Sequence, residues 1–215
     1  MMLSGTLIFS GCSKPNETID NNDNWVDLGL PSGLLWAKCN VGADSPEEYG
    51  DYFAWGETAP KEVYGWRTYK YCNASTGEYT RYNGKDGLFI LLPEDDAATV
   101  NMGGGARTPT LDEWQELIDN TTIQVTVENG VSGLRFSSSN GNRIFLPAAG
   151  ENWNDSPEYV GRSVSYWSSS LEEDPDKIAW YYEYSTAWSS GDDDEEMALC
   201  DITAGLSVRA VCSAR

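Results

Sequence analysis

The sequence predicts an α+β domain with two short helices, several short antiparallel strands and long loops. Apolar residues at helical spacing are confined to short stretches, and the clearest of these follows Thr110. Asn-Gly pairs at 129–130 and 140–141 separate apolar segments, and such pairs favour the tight turns of β-hairpins. The segment Lys61–Lys85 is rich in Tyr, Asn and Gly with few periodic positions, which is typical of a long loop.

The first elements of the chain are predicted to be two strands joined by a turn. Trp25–Leu30 and Leu34–Ala37 have the apolar character of short strands, and Pro31–Gly33 has the residues of a turn between them. Further along, Tyr52–Glu57 is an aromatic segment that we expect to be buried.

The central helix has the strongest local signal in the chain. Thr110 and Glu113 form a capping box, in which the side chain of each residue accepts a hydrogen bond from the backbone N–H of the other. One apolar face follows at helical spacing, formed by Leu111, Trp114, Leu117 and Ile118. The sequence therefore predicts a short amphipathic helix that begins at Thr110.

Two other segments have weaker helix signals. Pro93–Ala98 carries acidic residues in its first turn, where the helix dipole favours negative charge. Ser45 and Glu48 form a second capping box with Pro46 at the first helical position, which predicts one or two turns over Pro46–Tyr49.

A β-meander is predicted after the central helix, because the two Asn-Gly turns join alternating apolar segments. Glu151–Arg162 is interpreted as a polar loop, and more strands follow it. The predicted strands span 123–127, 131–136, 143–146, 165–170, 178–184, 197–200 and 206–212, with a short apolar strand at 88–92.

Composition excludes several classes of function. The chain has 34 Asp and Glu against 14 Lys and Arg, a net charge of −20, which disfavours nucleic acid and anionic membranes as partners. It contains no histidine, which excludes Ser-His-Asp and Cys-His catalysis, His-ligated zinc and a histidine general base. An enzyme of this sequence would have to use carboxylates, cysteines, tyrosines or a carboxylate-bound metal.

The N-terminus resembles the signal of a bacterial lipoprotein. A short apolar run, too short to span a bilayer, is followed by Ser10, Gly11 and Cys12, as in a lipobox. This resemblance implies a signal over 1–12, lipid attachment to the thiol of Cys12, and a location at the outer membrane or cell surface. Residues 13–24 are polar and are predicted to be a disordered tether to one domain over 25–215.

Four cysteines remain beyond the predicted lipidation site. Cys39, Cys72, Cys200 and Cys212 allow three disulfide pairings, between which the sequence does not choose. No two of them have CxxC spacing, which disfavours a thiolate metal site. The alternative is that they are small buried free thiols.

Carboxylates are the candidate metal ligands. Glu94, Asp95 and Asp96 lie at a junction between loop and helix, and residues 192–196 form a run of five acidic side chains. Calcium binds six to eight oxygen atoms, often from loop carboxylates, so calcium is a possible ligand of either segment. The alternatives are that Asp95 and Asp96 cap the helix or pair with Arg107, and that the acidic run is a solvated loop.

Several segments, taken in chain order over Trp25–Cys212, resemble one known family. They are Val26–Gly33 with Leu35–Ala37, Asn40–Ala43, Tyr49–Thr58, Asp95–Ala98, Arg107–Thr110 with Glu113, Phe145–Gly150, Tyr166–Ser170 and Ser207–Arg209. Together they look like the Fibrobacter succinogenes major paralogous domain, which is abundant in exported and lipid-anchored proteins of Bacteroidetes-type bacteria.

The resemblance implies a C-type-lectin-like fold related to the formylglycine-generating, sulfatase-modifying enzymes. In that group the pattern Arg-x-Pro-Thr-x-x-Glu-Trp is a shared structural element, and it corresponds here to Arg107, Thr110, Glu113 and Trp114. We expect Arg107 and Arg209 to be structural, pairing with carboxylates or backbone carbonyls near the central helix.

The catalytic role of the enzyme branch is not carried over. That branch uses a pair of nearby cysteines that bind copper. Here the late cysteines are Cys200 and Cys212, which are separated by eleven residues and expected on different strands. No catalytic residue is therefore assigned.

Aromatic residues in loops or near strand ends are the candidate ligand-binding residues. Trp66, Tyr69, Trp153 and Trp188 are placed to stack on sugar rings. Trp153, Asn154 and Asp155 also match the motif through which sugar-binding C-type lectins ligate calcium. The chain has no Glu-Pro-Asn or Gln-Pro-Asp partner for that motif, so coincidence is the alternative.

Three functions follow as hypotheses. The first is a surface-anchored, non-enzymatic module that recognises a glycan or a protein through its loops, without a required cofactor. The second is a copper-dependent oxidase of the formylglycine-generating type. The third is a structural component of the cell surface or of a pilus tip.

Overall fold

The computed structural model of the protein describes residues 24–173, 177–185 and 195–214. Four of the predicted features lie outside these residues: the signal with Cys12, the tether up to residue 23, Trp188, and the acidic side chains of 192–196.

The described residues contain two α-helices, eleven short strands and one 3-10 turn at Pro93–Asp95. The helices are α1 (Ala97–Met102) and α2 (Leu111–Asn120). The strands are β1 (Trp25–Asp27), β2 (Leu34–Asn40), β3 (Thr121–Glu128), β4 (Val131–Ser138), β5 (Arg143–Pro147), β6 (Glu151–Trp153), β7 (Ser156–Glu158), β8 (Ser163–Leu171), β9 (Ile178–Ser185), β10 (Glu195–Asp201) and β11 (Arg209–Ser213).

The strands form small antiparallel sheets. Three sheets have three strands each, in the orders β1-β2-β11, β10-β9-β8 and β3-β4-β5, and β6 pairs with β7 as a hairpin. The first sheet joins the two ends of the described chain, because β2 pairs with β11 as well as with β1. Few helices and many short antiparallel strands confirm the predicted α+β class.

Helix α2 lies at the centre of one of the two buried cores. The predicted capping box is present, with Thr110 Oγ1 accepting from Glu113 N at 3.3 Å and Glu113 Oε2 accepting from Thr110 N at 2.8 Å. Trp114 is fully buried and stacks on Tyr182, with ring centroids 5.1 Å apart. Its indole edge also meets Trp36 at 4.9 Å, so α2 joins two of the sheets.

The second core lies under the long segment between β2 and α1. It contains Trp55, whose ring meets Tyr82 edge to face at 4.9 Å, and it extends to Trp167 in β8. Trp55 Nε1 donates to the carbonyl of Ser168 at 2.8 Å, and Trp167 Nε1 donates to that of Phe53 at 2.7 Å. The predicted burial of Tyr52–Glu57 is confirmed for Phe53 through Glu57.

Three local predictions are wrong. Pro46–Tyr49 is a turn rather than a helix, and Glu48 accepts from Asp44 N at 2.8 Å instead of completing a box with Ser45. The apolar segment 88–92 makes only an isolated bridge, at Ile90. Part of the predicted loop Glu151–Arg162 is instead the β6–β7 hairpin.

No helix among the described residues is both long and apolar enough to cross a membrane.

Candidate functional site

The long segment that begins at Lys61 is fastened to the core by its tyrosines. Tyr64 Oη donates to the carbonyl of Tyr52 at 2.6 Å, and Tyr69 Oη donates to that of Trp55 at 2.7 Å. Both phenols thus satisfy carbonyls of the buried aromatic segment, which would otherwise lack a donor. The segment has little regular structure, but its path over the surface is fixed.

A buried carboxylate fastens the next part of this segment. Asp95, 1% exposed, accepts hydrogen bonds from the phenols of Tyr71 and Tyr82 and pairs with Lys70 at 3.2 Å and Arg81 at 3.0 Å. Burial alone would raise the pKa of Asp95, but the hydrogen bonds from Tyr71, Tyr82 and Lys70 outweigh it and lower that pKa. Asp95 is therefore an ionised anchor for the segment.

The β6–β7 hairpin is bonded directly to the first part of the long segment. Tyr64 N donates to the carbonyl of Asn154 at 2.6 Å, and Asn154 N donates to that of Tyr64 at 3.1 Å. On the hairpin's other side, Asn152 and Gly205 exchange backbone hydrogen bonds of 2.7 and 2.9 Å. A Cβ atom on Gly205 would lie 2.7 Å from the ring of Tyr64, so the ring packs on bare glycine backbone.

These bonds bring exposed side chains from two distant parts of the chain onto one surface. Trp66 is 42% exposed, and the guanidinium of Arg67 lies 4.8 Å from its ring centroid. Val63, in the same segment, is also exposed, and Asn154 and Asp155 are exposed at the tip of the hairpin. We call the surface of these five residues the loop–hairpin face.

The structure separates the predicted ligand-binding residues. Trp66, Asn154 and Asp155 are exposed on the loop–hairpin face, whereas Trp153 is partly buried against the core. The prediction for Tyr69 is wrong, because this side chain is 2% exposed and its hydroxyl is bound to Trp55.

A partly buried carboxylate, Glu151, begins the hairpin and lies opposite Glu158 at its base. Burial raises the pKa of Glu151, a hydrogen bond with Trp153 opposes that shift, and the nearby charges of Glu183 and Glu158 add to it. The phenol of Tyr181 donates to Glu183. Negative charges therefore repel one another at the base of the hairpin.

The three predicted calcium ligands are each engaged in contacts of their own, although Arg81 pairs with both Glu94 and Asp95. Glu94 is exposed and pairs with Arg81, whereas Asp95 is the buried anchor. Asp96 caps α1 by accepting from Ala98 N at 2.9 Å and also accepts from Thr108 N at 2.8 Å. No group of three or more cysteine or carboxylate side chains within the described ranges is placed to hold a metal ion. A shared calcium site here would require these contacts to break.

The alternative in which Asp96 caps the helix is confirmed, whereas its pairing with Arg107 is not observed. Arg107 instead pairs with Glu113 through two N–H donors, at 2.6 and 2.5 Å. Glu113 also closes the capping box, so the expected pairing of Arg107 with a carboxylate near the central helix is observed. The pair fixes the corner through which the chain enters α2.

Arg209 is structural as well, but its partners are neutral. It is fully buried and donates to the carbonyls of Ala37, Lys38 and Phe145 at 2.5–2.9 Å. Two further donors reach Asn40 Oδ1 at 3.0 and 2.7 Å. Burial lowers the pKa of Arg209 from its ordinary value. The guanidinium joins β11 to β2 and β5.

The four cysteines of the described chain are free thiols. Cys200 is buried in β10 and Cys212 in β11, on different strands as predicted, and these strands belong to different sheets. Burial raises the pKa of Cys200 well above its ordinary value, so its thiol is protonated at neutral pH.

Two residues that position the loop–hairpin face, Tyr64 and Gly205, are absent from the sequence predictions. They act through contacts with residues distant in the chain, for which there is no local pattern. The adjacent turn formers Asn154 and Asp155, preceded by Trp153, could have indicated a hairpin at this point.

Comparison with protein-family models, with curated proteins and with solved structures finds no match to this chain.

Proposed function

We propose that this chain is a non-enzymatic recognition module that binds a glycan or a protein through the loop–hairpin face. The observation that carries the proposal is the paired backbone of Tyr64 and Asn154. It anchors the backbone of two segments, one of which carries the exposed Trp66 and the other the exposed Asn154 and Asp155, so little conformational entropy is lost when a ligand binds.

The chemistry of this face suits a sugar ring. The exposed face of Trp66 offers an apolar surface, and the guanidinium of Arg67 supplies hydrogen-bond donors beside it. Asn154 and Asp155 add amide and carboxylate groups that can orient hydroxyls. The same combination of aromatic anchor and polar rim is also common in protein interfaces.

Family membership and cell location are part of the proposal. Small antiparallel sheets, two short helices and long anchored loops support a C-type-lectin-like domain of the Fibrobacter succinogenes major paralogous type. The lipobox supports export and anchoring at the outer membrane or cell surface through Cys12. Mass spectrometry of the protein purified from its own cells tests the anchor: the expected N-terminal peptide begins at a lipid-modified Cys12.

Recognition is favoured over the oxidase hypothesis by the late cysteines. Cys200 and Cys212 lie in different sheets, and the raised pKa of Cys200 disfavours the thiolate that binds copper. Copper binding with cysteine-dependent oxygen consumption would support the oxidase instead. Co-purification with pilus proteins would support the structural hypothesis.

The test uses the full chain with Cys12→Ser, so that it remains soluble, on glycan and extracellular-protein arrays. Each array is run with and without EDTA, which reveals whether calcium takes part. Trp66→Ala is expected to weaken binding about tenfold or more, because one aromatic contact is worth about 1–2 kcal/mol. Val100→Ala, exposed on α1, is the control and should bind normally. Unchanged binding by Trp66→Ala would contradict the proposal, as would the absence of any ligand.

A further inference from the structure

Two adjoining cavities lie between the β1–β2 strands and the β4–β5 hairpin, on residues outside the loop–hairpin face. Their volumes are about 200 and 450 Å³, and both are lined by Val26, Lys38 and Arg143. The larger volume falls in the range of small-ligand pockets, roughly 300–1,000 Å³. We call the two together the β1–β5 hollow.

Hydrogen bonds between its two walls fix the shape of the hollow. The side-chain amides of Asn140 and Asn142, in the turn of the β4–β5 hairpin, both donate to the carbonyl of Asp27, at 2.9 and 2.8 Å. Ser138 Oγ donates to the carbonyl of Leu28 just beyond. The hollow is therefore formed before any ligand arrives.

Unpaired cations are rare in this acidic chain. Five of the cations in the described residues form ion pairs: Lys61, Lys70, Arg81, Arg107 and Arg135. Arg209 is bound to neutral oxygens, and Arg162 has contacts of its own. Arg67 and Lys177 lie over aromatic rings. Within the same residues, the side chains left without an ion pair, hydrogen bond or ring contact are Lys38, Lys85 and Arg143. Two of these three line the β1–β5 hollow.

The carboxylates at the hollow offset only part of this positive charge. Glu128 pairs with Arg135, at 2.8 Å from Oε1 to Nε. Asp27 accepts from Gly29 N at 2.7 Å through Oδ1, and its negative charge offsets one of the two cations. Lys38 and Arg143 together therefore leave a local excess of positive charge at the hollow, although the whole chain carries −20.

We propose that the β1–β5 hollow binds an acidic sugar unit through a carboxylate or sulfate group held by Arg143 and Lys38. The planar fork of an arginine matches the two oxygens of such a group, and a lysine adds a mobile second charge. Apolar walls at Val26 and Phe145 suit the uncharged body of the sugar ring. The choice of a sugar rests on the proposed function, whereas the anion selectivity rests on the two cations alone.

Calorimetric titration of the full Cys12→Ser chain tests the inference with three defined probes. These are a galacturonic acid trisaccharide, a sulfated disaccharide of chondroitin, and a neutral galactose disaccharide. We expect binding of an acidic probe, weakened by added salt, and none of the neutral one. Preference between the two acidic probes identifies the group that the hollow selects.

Charge-removing variants locate the site. Lys38→Gln with Arg143→Gln is expected to weaken binding of the acidic probe at least about tenfold, since charge-assisted hydrogen bonds are lost. Lys85→Gln removes the third unpaired cation, which is exposed in the long loop, and should leave binding unchanged. Both side chains of the double variant lie at the surface of the hollow, so circular dichroism melting should show a folded protein.

Three results would overturn the inference: no binding of either acidic probe, equal binding by the double variant, or an equal loss on Lys85→Gln. The last would mean that only overall charge matters. Trp66→Ala separates this inference from the proposed function. If that variant loses array binding yet keeps its affinity for the acidic probe, the two sites are independent and each stands on its own result.

Discussion

Tyr64 and Asn154 exchange two backbone hydrogen bonds, 2.6 Å from Tyr64 N and 3.1 Å from Asn154 N. This pair unites the first part of the long segment with the β6–β7 hairpin, and it brings Trp66 and Asp155 onto one surface. Contacts between residues that are close in sequence do not fix the position of either segment. The geometry of the face thus depends on a few contacts beneath it.

Gly205→Ala is expected to displace Tyr64 and to destabilise the protein. The new Cβ would lie 2.7 Å from the Tyr64 ring, and such overpacking costs about 1–3 kcal/mol. Urea denaturation followed by tryptophan fluorescence measures the change. In a double-mutant cycle, Tyr64→Ala should cost less in the Gly205→Ala background than in the wild type. Additive costs would show that the ring does not transmit the strain.

Asp95→Asn is expected to lower the free energy of unfolding by about 3 kcal/mol, because Lys70 and Arg81 lose their buried partner. The matched control is Glu94→Gln, which removes an exposed partner of Arg81 and should cost less than about 1 kcal/mol. Urea unfolding at neutral pH measures both. Similar costs for the two variants would contradict the assignment of Asp95 as the anchor.

The cost of Asp95→Asn should also depend on pH. The folded-state pKa of Asp95 is lowered from its ordinary value of 3.8, so its ionised form stabilises the fold above that pH. This contribution is lost as the pH falls through the folded-state pKa. The difference in free energy of unfolding between Asp95→Asn and the wild type should therefore shrink below pH 3.8. A difference that stays constant with pH would contradict the role of ionised Asp95.

Glu151→Gln is expected to stabilise the protein slightly at neutral pH, by less than about 1 kcal/mol, because solvent screens a partly exposed carboxylate. The folded-state pKa of Glu151 is raised above 4.5, so ionisation opposes folding as the pH rises from 4.5 through that folded-state value. Glutamine removes the repulsion from Glu183 and Glu158. Melting temperatures across this range measure the gain, which should vanish below pH 4.5. Glu62→Gln, exposed in the long segment, is the control that removes one surface carboxylate elsewhere.

Arg209→Lys is expected to destabilise the protein by about 3 kcal/mol despite keeping the charge. Lysine has no planar fork and fewer donors, so at least one buried acceptor among Asn40 Oδ1 and the three carbonyls loses its hydrogen bond. Arg135→Lys at the surface pair with Glu128 is the control and should cost less than about 1 kcal/mol. Chemical denaturation compares the two, and equal costs would refute the structural role of the fork.

Local sequence patterns predicted a helix correctly where apolar side chains that follow the pattern are buried in the core. The box at Thr110 and Glu113 begins a ten-residue helix because Trp114 and Leu117 follow it and are fully buried. The same sequence pattern at Ser45 and Glu48 formed no box and produced only a turn. No apolar face follows it, and most of the stability of a short helix comes from burying such a face.

Between Lys61 and Lys85 the sequence carried little information. Trp66 and Tyr69 both seemed suited to a binding loop, yet Trp66 is exposed and Tyr69 is buried. The two side chains differ in exposure because the hydroxyl of Tyr69 donates to the carbonyl of Trp55 in the core, whereas the side chain of Trp66 is not covered by core residues. Segments without periodicity take their side-chain directions from distant partners.

Local sequence patterns were enough to predict the α+β class, the central capped helix and the two hairpins with Asn-Gly turns. The exposure of particular aromatic residues, the meeting of the hairpin with the long segment, and the shared hollow of Lys38 and Arg143 follow from long-range packing. The difference lies in the range of the interactions. Caps, turns and apolar periodicity act between near neighbours, whereas burial and charge pairing depend on which remote residues folding brings together.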